Sequence, residues 1–355
     1  SNRKKSSAAT LFVLTKSNVA LAEVSVYFNE IISRLPQSSY LLLGGKKENP
    51  LNIANDNYIY KPPRFLERSR RVKYGCHFDL FHSTYYRLPA VKSCKIVTTV
   101  HDYTYDYFSS GIRKAARSYI MNKSLSESDK IICVSENTRQ DLIKFSGASY
   151  EDRSVVIHNG VSEDYYVIPE IDIQPQVIFV GARSGYKNFK SLVYALSTIS
   201  DINLVCVGGG AFNLDEISIM EKYIKNRYRH AGFLTNTRLN IEYNRSLCLV
   251  YPSLYEGFGI PVLESMRAGC PIVAVNSSSI PEVAGDAAIL MSEGHPDEIR
   301  EAIAKIMLSN IKNTLIKKGL SQSKKFSWDK TFTKTLDVYE DLLGYSIIPP
   351  KNNRC

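Results

Sequence analysis

Two glutamates bracket the run Glu256-Gly257-Phe258-Gly259-Ile260-Pro261-Val262-Leu263-Glu264. The strand-like Val-Tyr-Pro-Ser before it leads into a glycine-loosened loop, and Pro261 suits the first turn of a helix. Backbone N–H groups at a helix start are left without intrahelical partners, and the helix dipole favours an anion there. Glu264 falls about one turn, or about 5 Å, further along. A carboxylate beside a phosphate is repelled by it but accepts from ribose hydroxyls. Glu256, on the loop, can accept from sugar hydroxyls and face a developing positive charge. A second run, Val180-Gly181-Ala182-Arg183-Ser184-Gly185-Tyr186-Lys187-Asn188-Phe189, ends a buried strand on Gly181, where backbone can approach a ligand closely. Arg183 and Lys187 follow in one loop before a helix. Two cations beside a helix start suit a diphosphate.

The elements that must position these residues alternate between strand and helix. Strands are expected at residues 10–14, 40–43, 80–82, 96–100, 130–134 and 154–157, and helices at 22–35, 112–125 and 136–145. Ser135 caps the last of these. Residues 159–175, Asn-Gly-Val-Ser-Glu-Asp-Tyr-Tyr-Val-Ile-Pro-Glu-Ile-Asp-Ile-Gln-Pro, break the pattern and read as an interdomain linker. It then restarts: a strand through Val180, a helix from about Asn188, strands at Leu204–Val207, 231–233 and 248–251, a helix after Pro261, the strand Pro-Ile-Val-Ala-Val and two terminal helices. Such alternation implies α/β domains with parallel sheets, whose ligands bind at the carboxyl ends of the strands.

A chain of 355 residues with 44% hydrophobic content can fill two cores. No apolar run reaches the roughly 18 residues of a membrane span, and the apolar stretch after the basic first residues is too short for a secretory signal. Seven widely spaced cysteines, with no Cys-x-x-Cys, argue against a disulfide framework and a structural zinc site. Cys133, Cys206 and Cys248 lie in apolar strands and read as buried thiols of a cytoplasmic protein. Net charge is +10, and its placement is uneven. Residues 1–160 carry 24 Lys+Arg against 14 Asp+Glu, whereas residues 161–355 carry 21 of each. The densest basic patch is 64–73. Such a half suits either anionic lipid or nucleic acid, and no nucleic-acid motif is present.

The Glu256-x7-Glu264 run with Gly-Phe-Gly-Ile-Pro between resembles the signature of the family 4 retaining glycosyltransferases. Val-Ile-His-Asn-Gly-Val (156–161) is similar to that family's end of the first domain. The 180–189 loop resembles its diphosphate loop, with Arg183 and Lys187 at matching positions. Ala-Gly-Phe-Leu-Thr-Asn-Thr-Arg-Leu (231–239) resembles its nucleobase segment, residues 271–283 its usual continuation, and Phe-Ser-Trp-Asp-Lys (326–330) its terminal region. The resemblance covers nearly the whole chain. It implies the GT-B fold, two Rossmann-like domains facing across a cleft. The acceptor domain would be 1–165, joined by a C-terminal helix of about 328–345 packing back on it, and the donor domain 174–327.

By the same resemblance, Gly181, Arg183, Lys187, Phe258, Gly259, Ile260, Pro261, Val262 and Glu264 would hold the diphosphate, ribose and sugar, and Phe233 and Leu234 the base. His101, after the strand ending in Val100, would lie at the donor sugar, acting in catalysis with Glu256, Arg183 and Lys187. A histidine in that place also reads as a buried structural residue. Asp102, His82, Tyr85 and Arg87 are candidates for the acceptor side, with packing roles equally open. Where the family often has a Gly-Gly loop after the first strand, this chain reads Leu-Thr-Lys-Ser-Asn-Val-Ala-Leu-Ala-Glu-Val (14–24). Either Ser17 to Val19 replace that loop or the first-domain side of the site is altered.

The implied reaction is transfer of a hexosyl group, mannosyl favoured, from a GDP- or UDP-sugar to a hydroxyl of a lipid-linked glycan, with anomeric configuration retained, in bacterial surface polysaccharide synthesis. The chain has no Asp-x-Asp metal motif. The expectation is therefore no metal and no cofactor, with fixed cations stabilising the leaving diphosphate. The expected partners are the nucleotide sugar, a lipid-linked oligosaccharide and an anionic membrane surface, with the protein cytoplasmic and peripheral at the inner face of the plasma membrane. The competing readings are a catalytically silent nucleotide-sugar-binding subunit, a sugar-nucleotide epimerase and a phosphorylase-like enzyme. A nicotinamide enzyme is disfavoured because Gly208-x-Gly210 is followed by Asn213 where a third glycine is needed.

Overall fold

The computed structural model of the chain describes residues 8–13, 23–44, 57–60, 70–73, 77–83, 86–90 and 93–348. The chain divides into Ser1–Asn159 with Trp328–Cys355, and Gly160–Ser327. Among the described residues, no helix is long and apolar enough to cross a membrane.

The first unit contains β1 (Ala8–Val13), α1 (Glu23–Ile32), β2 (Tyr40–Gly44), β3 (Tyr58–Tyr60), β4 (Phe78–Ser83), β5 (Lys95–Val100), α2 (Thr104–Phe108), α3 (Gly111–Glu127), β6 (Lys130–Cys133), α4 (Glu136–Ser146) and β7 (Ser154–Val156). The sheet is parallel throughout, in the order β3-β2-β1-β4-β5-β6-β7. Ser135 caps α4 by accepting from the Thr138 amide. The last helix, numbered α12 in chain order (Trp328–Leu343), returns to this unit and packs on α1 and β4. Arg34 Nε meets Asp329 Oδ1 at 2.9 Å, and Thr331 Oγ1 donates to the His158 carbonyl at 2.7 Å.

The second unit contains β8 (Gln176–Val180), α5 (Phe189–Ser197), β9 (Asn203–Val207), α6 (Leu214–Ile224), β10 (Tyr228–His230), α7 (Asn236–Arg245), β11 (Cys248–Tyr251), α8 (Ile260–Arg267), β12 (Ile272–Val275), α9 (Ile280–Ala284), β13 (Ile289–Met291), α10 (Pro296–Ile306) and α11 (Ser309–Ser323). Its order, β10-β9-β8-β11-β12-β13, is again parallel throughout. Every residue of β11 and β12 is buried. That explains why these strands read as continuous apolar runs, since helices cover both faces of such sheets. In both units the strand order reverses beside the first strand, so the β1/β4 and β8/β11 junctions are the switch points where such sheets bind ligands.

The structure adds β3, α2, α9, β13 and a third terminal helix to the elements the sequence reading expected, and departs from it further as follows. The strand expected at 231–233 lies at Tyr228–His230, paired to Leu204–Cys206, because Gly232, at φ 75°, turns the chain away. Residues 236–245 form a helix that carried no apolar stripe to announce it. The segment read as the interdomain linker is fastened, from Asp164 to Ile168, along that same helix. Cys133, Cys206 and Cys248 are buried free thiols, as expected.

Candidate active site

Because all strands of the second unit run the same way, the loops after β8, β9, β10 and β11 emerge at one edge of its sheet. The loop after β8 begins at Gly181 (φ 114°) and is tied to the loop after β11 by a bond from the Leu254 amide to the Tyr186 carbonyl, 2.8 Å. Asn188, left-handed at φ 54°, starts α5 and donates from Nδ2 to the Gly294 carbonyl at 3.0 Å. Lys187 is thereby delivered to Glu256: Nζ lies 2.5 Å from Oε1, with both side chains almost wholly enclosed. The ammonium also sits 5.3 Å and 5.5 Å from the ring centres of Tyr186 and Tyr251.

The Glu256 loop is braced from behind by serines that follow β12. Ser278 Oγ accepts from the Glu256 amide at 2.8 Å, and Ser279 Oγ lies 3.0 Å and 2.9 Å from the Glu256 and Phe258 carbonyls. Ser278 itself has φ 52°. These residues carry no chemistry of their own, and the sequence reading missed them. The signal was the Ser277-Ser278-Ser279 run just ahead of Ile280-Pro281, which is typical of side chains that bond nearby backbone. Gly259 (φ 96°) opens α8, and a side chain there would put its Cβ 2.9 Å from Ile280 Cδ1. Ile260, Pro261 and Val262 form the first turn, with Phe258 and Val262 fully buried beneath it.

Glu264 lies one turn along α8. Its Oε2 accepts from the Tyr243 hydroxyl at 2.9 Å, and the Tyr165 hydroxyl, which donates to Asn236 Oδ1 at 3.2 Å, lies beside it. Burial lifts this carboxyl from its ordinary 4.5 to about 7, against the two phenols, which pull it down. Phe233 is exposed and lies beside Gly208, with half-buried Leu234 next to it.

The structure commits the two cations to different partners, which corrects the expectation that they converge. Arg183 is not on the surface of its loop; its side chain is only 2% exposed. Nε pairs with Glu216 Oε2 at 3.1 Å, one terminal nitrogen donates to the Gly208 carbonyl at 3.0 Å, and the other to Gly210 (2.7 Å), Ala211 (3.1 Å) and Gly209 (3.4 Å). The guanidinium also stacks 4.8 Å from the Phe212 ring centre. Gly208, Gly209 and Gly210 all have φ near +70°, so three successive carbonyls turn inward and a five-donor guanidinium fits them. Glu216 closes the arrangement as part of the capping box of α6 with Asn213. Arg183 therefore holds the turn after β9.

In the first unit, His101 is 8% exposed, and neither ring nitrogen has a hydrogen-bond partner among the described residues. The ring stands edge-on to Tyr27 and Phe28 at 5.2 Å and 6.2 Å. Burial lowers its pKa to about 4, so it is neutral near pH 7. Asp102 Oδ1 accepts from the Thr104 amide at 2.8 Å and starts α2. His82 requires a correction. It is wholly buried, Nδ1 bonds the Tyr339 hydroxyl at 2.5 Å and Nε2 bonds Thr99 Oγ1 at 2.9 Å. Both nitrogens are thus spent on the core, and burial lowers its pKa to about 3. Arg87 is buried too, its amide donating to Ser83 Oγ at 2.8 Å. Tyr85, the stretch 14–22 and most of the basic patch 64–73 lie outside the described residues.

Two six- or seven-stranded Rossmann-like units of this order define the GT-B class of glycosyltransferase. Residues 23–165 match the family described as Glycosyltransferase Family 4, and residues 167–321 the family described as Glycosyl transferases group 1. The chain belongs to these glycosyltransferases. It is 27% identical over 283 residues to the O-antigen chain mannosyltransferase B of Escherichia coli, covering 74% of each chain. It is also 27% identical over 254 residues to the serotype-specific mannosyltransferase WbdA of E. coli, where 65% of this chain spans 31% of that protein. Among solved structures, the Anabaena protein HepE in complex with UDP-glucose superposes over 94% of this chain and 99% of its own, with TM-score 0.74 and 14% identity.

Proposed function

We propose that the protein transfers a hexosyl group, mannosyl favoured, from a GDP- or UDP-sugar to a hydroxyl of a lipid-linked glycan in surface polysaccharide synthesis, with retention and without a metal. The observation that carries this reading is the Lys187–Glu256 pair set between the switch-point loops and the start of α8. In this reading the donor diphosphate takes the Lys187 ammonium, and α8's N-terminal dipole adds to the same charge. Both act most strongly on the charge that grows as the diphosphate leaves. Glu256, relieved of its cation, accepts from a sugar hydroxyl and faces the positive anomeric carbon. Glu264 accepts from the ribose, and Phe233 and Leu234 border the base. Arg183 contributes by holding the turn after β9. His101, neutral and with no hydrogen-bond partner for either nitrogen among the described residues, offers one donor and one acceptor to a sugar hydroxyl. Retention follows from attack on the face the diphosphate leaves, with a phosphate oxygen taking the acceptor's proton.

The mannosyl preference rests on the O-antigen mannosyltransferase relatives, and the nucleotide-sugar donor on the UDP-glucose named for HepE. The anionic membrane partner rests on the basic first half and on Tyr105, Phe108, Ile112 and Tyr119 exposed along α2 and α3, with the Arg117 guanidinium over Tyr105. Incubation with GDP-mannose or UDP-hexoses and a lipid-linked glycan tests the reaction, the anomeric configuration being read by NMR. Lys187→Ala is expected to lower turnover at least a hundredfold. Donor binding without any product, or full turnover in Lys187→Ala, overturns the proposal. Flotation with anionic vesicles tests the membrane partner, and binding that ignores salt removes it.

A further inference from the structure

Segment 162–168 and helix α7 are joined by a ladder of side chains. Asn236, Asn240 and Asn244 stand four residues apart on one face of the helix. Asn236 Nδ2 donates to Asp164 Oδ2 at 2.9 Å, Asn240 Oδ1 accepts from the Tyr166 amide at 3.1 Å, and Asn244 Oδ1 accepts from the Ile168 amide at 2.7 Å while its Nδ2 donates to the Tyr166 carbonyl at 3.0 Å. Each step advances about 6 Å along the helix and two residues along the strap, which in extended chain is about 6.6 Å. The repeats match, so the asparagines do for the strap what a neighbouring strand would do. From the other side, Arg267 Nε of α8 donates to the Tyr165 carbonyl at 3.1 Å.

This anchoring fixes one side chain. Tyr165, 2% exposed, points back to Glu264 of α8, and its ring packs against Tyr243 at 6.0 Å between centres. Tyr243, fully buried, reaches the same carboxyl at 2.9 Å from α7. The Tyr165 hydroxyl donates its one hydrogen to Asn236 Oδ1 at 3.2 Å and lies beside Glu264, to which the same hydrogen can turn.

We propose that Tyr243 and the strap-borne Tyr165 are positioning residues that hold the Glu264 carboxylate by their hydroxyls in the orientation that accepts from the donor's ribose. This rests on the reading of Glu264 as the ribose acceptor. An ionised carboxylate accepts both phenol hydrogens and still has lone pairs for a ribose hydroxyl. A protonated one spends its hydrogen on Tyr165, whose own then turns to Asn236. The other titratable groups around the cluster are Asp164, the Glu163–Arg267 pair and Cys270, a thiol that burial lifts to about 12.

The test compares binding of GDP-mannose and its 2′,3′-dideoxyribose analogue, and the matching UDP-glucose pair, between pH 5.5 and 9. Their diphosphate diesters do not titrate in that range. The ribose form is expected to bind about tenfold tighter or more at pH 8.5, as for a charge-assisted hydrogen bond. That preference should fade below a midpoint near pH 7. Tyr243→Phe keeps the ring and removes one donor to the carboxylate, so the midpoint moves up by about one pH unit. Tyr165→Phe moves it the same way and serves should Tyr243→Phe fail to fold. A ribose preference that persists with its midpoint unmoved in both variants overturns the positioning role. No preference for ribose at any pH overturns the role of Glu264 itself, and the proposal with it.

Discussion

Replacing Glu264 by Gln should stabilise the protein in mild alkali and leave it unchanged in acid. The carboxyl's folded pKa, about 7, stands above its ordinary 4.5 because enclosure between Tyr243, Tyr165 and α8 disfavours charge. A raised acid binds more protons folded than unfolded, so stability is full below about pH 4.5 and is lost as pH rises through about 7. The difference of some 2.5 units corresponds to about 3 kcal/mol above pH 8, an upper value because the residue is only half-buried by accessible surface. Gln is uncharged at every pH. Its carbonyl still accepts from Tyr243, and its amide can donate to the Tyr165 oxygen. Urea unfolding of both proteins at pH 5, 7 and 8.5, read as the difference between them, cancels every other titrating group. The expected difference grows from under about 1 kcal/mol at pH 5, with most of the rise between pH 5 and 7, to about 2–3 kcal/mol in favour of Glu264→Gln at pH 8.5. A difference independent of pH would refute the reasoning, since it would mean that the carboxylate is ionised in place without penalty. The same variant should lose ribose discrimination, so the glutamate is retained at a cost in stability.

Arg183→Ala should cost about 3–5 kcal/mol, because Glu216 and the inward carbonyls of Gly208 to Ala211 lose their counterpart; Arg183→Lys should recover less than half of this in urea midpoints, a point charge being no substitute for a planar fork. Gly209→Ala should cost about 2 kcal/mol or more, since its Cβ would lie 2.5 Å from the Gly181 carbonyl oxygen at φ +70°; a neutral result by thermal melting would contradict the turn. Ser279→Ala should cost about 1–2 kcal/mol and lower turnover together, as the brace under Glu256 goes, whereas unchanged kinetics would detach the serine from the loop. The first unit should weaken in acid, because His82 and His101 are held neutral with folded values of about 3 and 4 against an ordinary 6.5. Their contribution is full above pH 6.5 and is lost as pH falls toward about 4. The single tryptophan, Trp328, is buried in that unit and reports its unfolding by fluorescence; an acid midpoint that does not move in His82→Gln would refute the assignment.

Much of the framework was written in apolar runs that only a doubly covered parallel strand explains, and β5, β6, β11 and β12 fell within a residue or so of their expected places. What could not be read had physical reasons. Helix α7 spends one face on Asn236, Asn240 and Asn244, so periodicity offered nothing. The strap it carries looked like a linker because its hydrogen bonds go to side chains rather than to a strand. The loop residues Lys187 and Glu256 were legible from type and spacing. The fate of Arg183 was not, since no spacing tells whether a guanidinium faces a ligand or three glycine carbonyls. His82 follows a strand just as His101 does. The arrival of Tyr339, far along the chain, together with Thr99, distinguishes the spent histidine from the one that meets no partner among the described residues.

That late arrival has a bearing on biogenesis. The second unit is one uninterrupted stretch, whereas the first lacks α12 until the whole of the second has been made. A nascent chain halted shortly after Ser327 would carry a complete second sheet, yet would leave Tyr27 without Trp328 and His82 without Tyr339. Quality control during synthesis is therefore expected to engage the amino-terminal half longest, although it is made first.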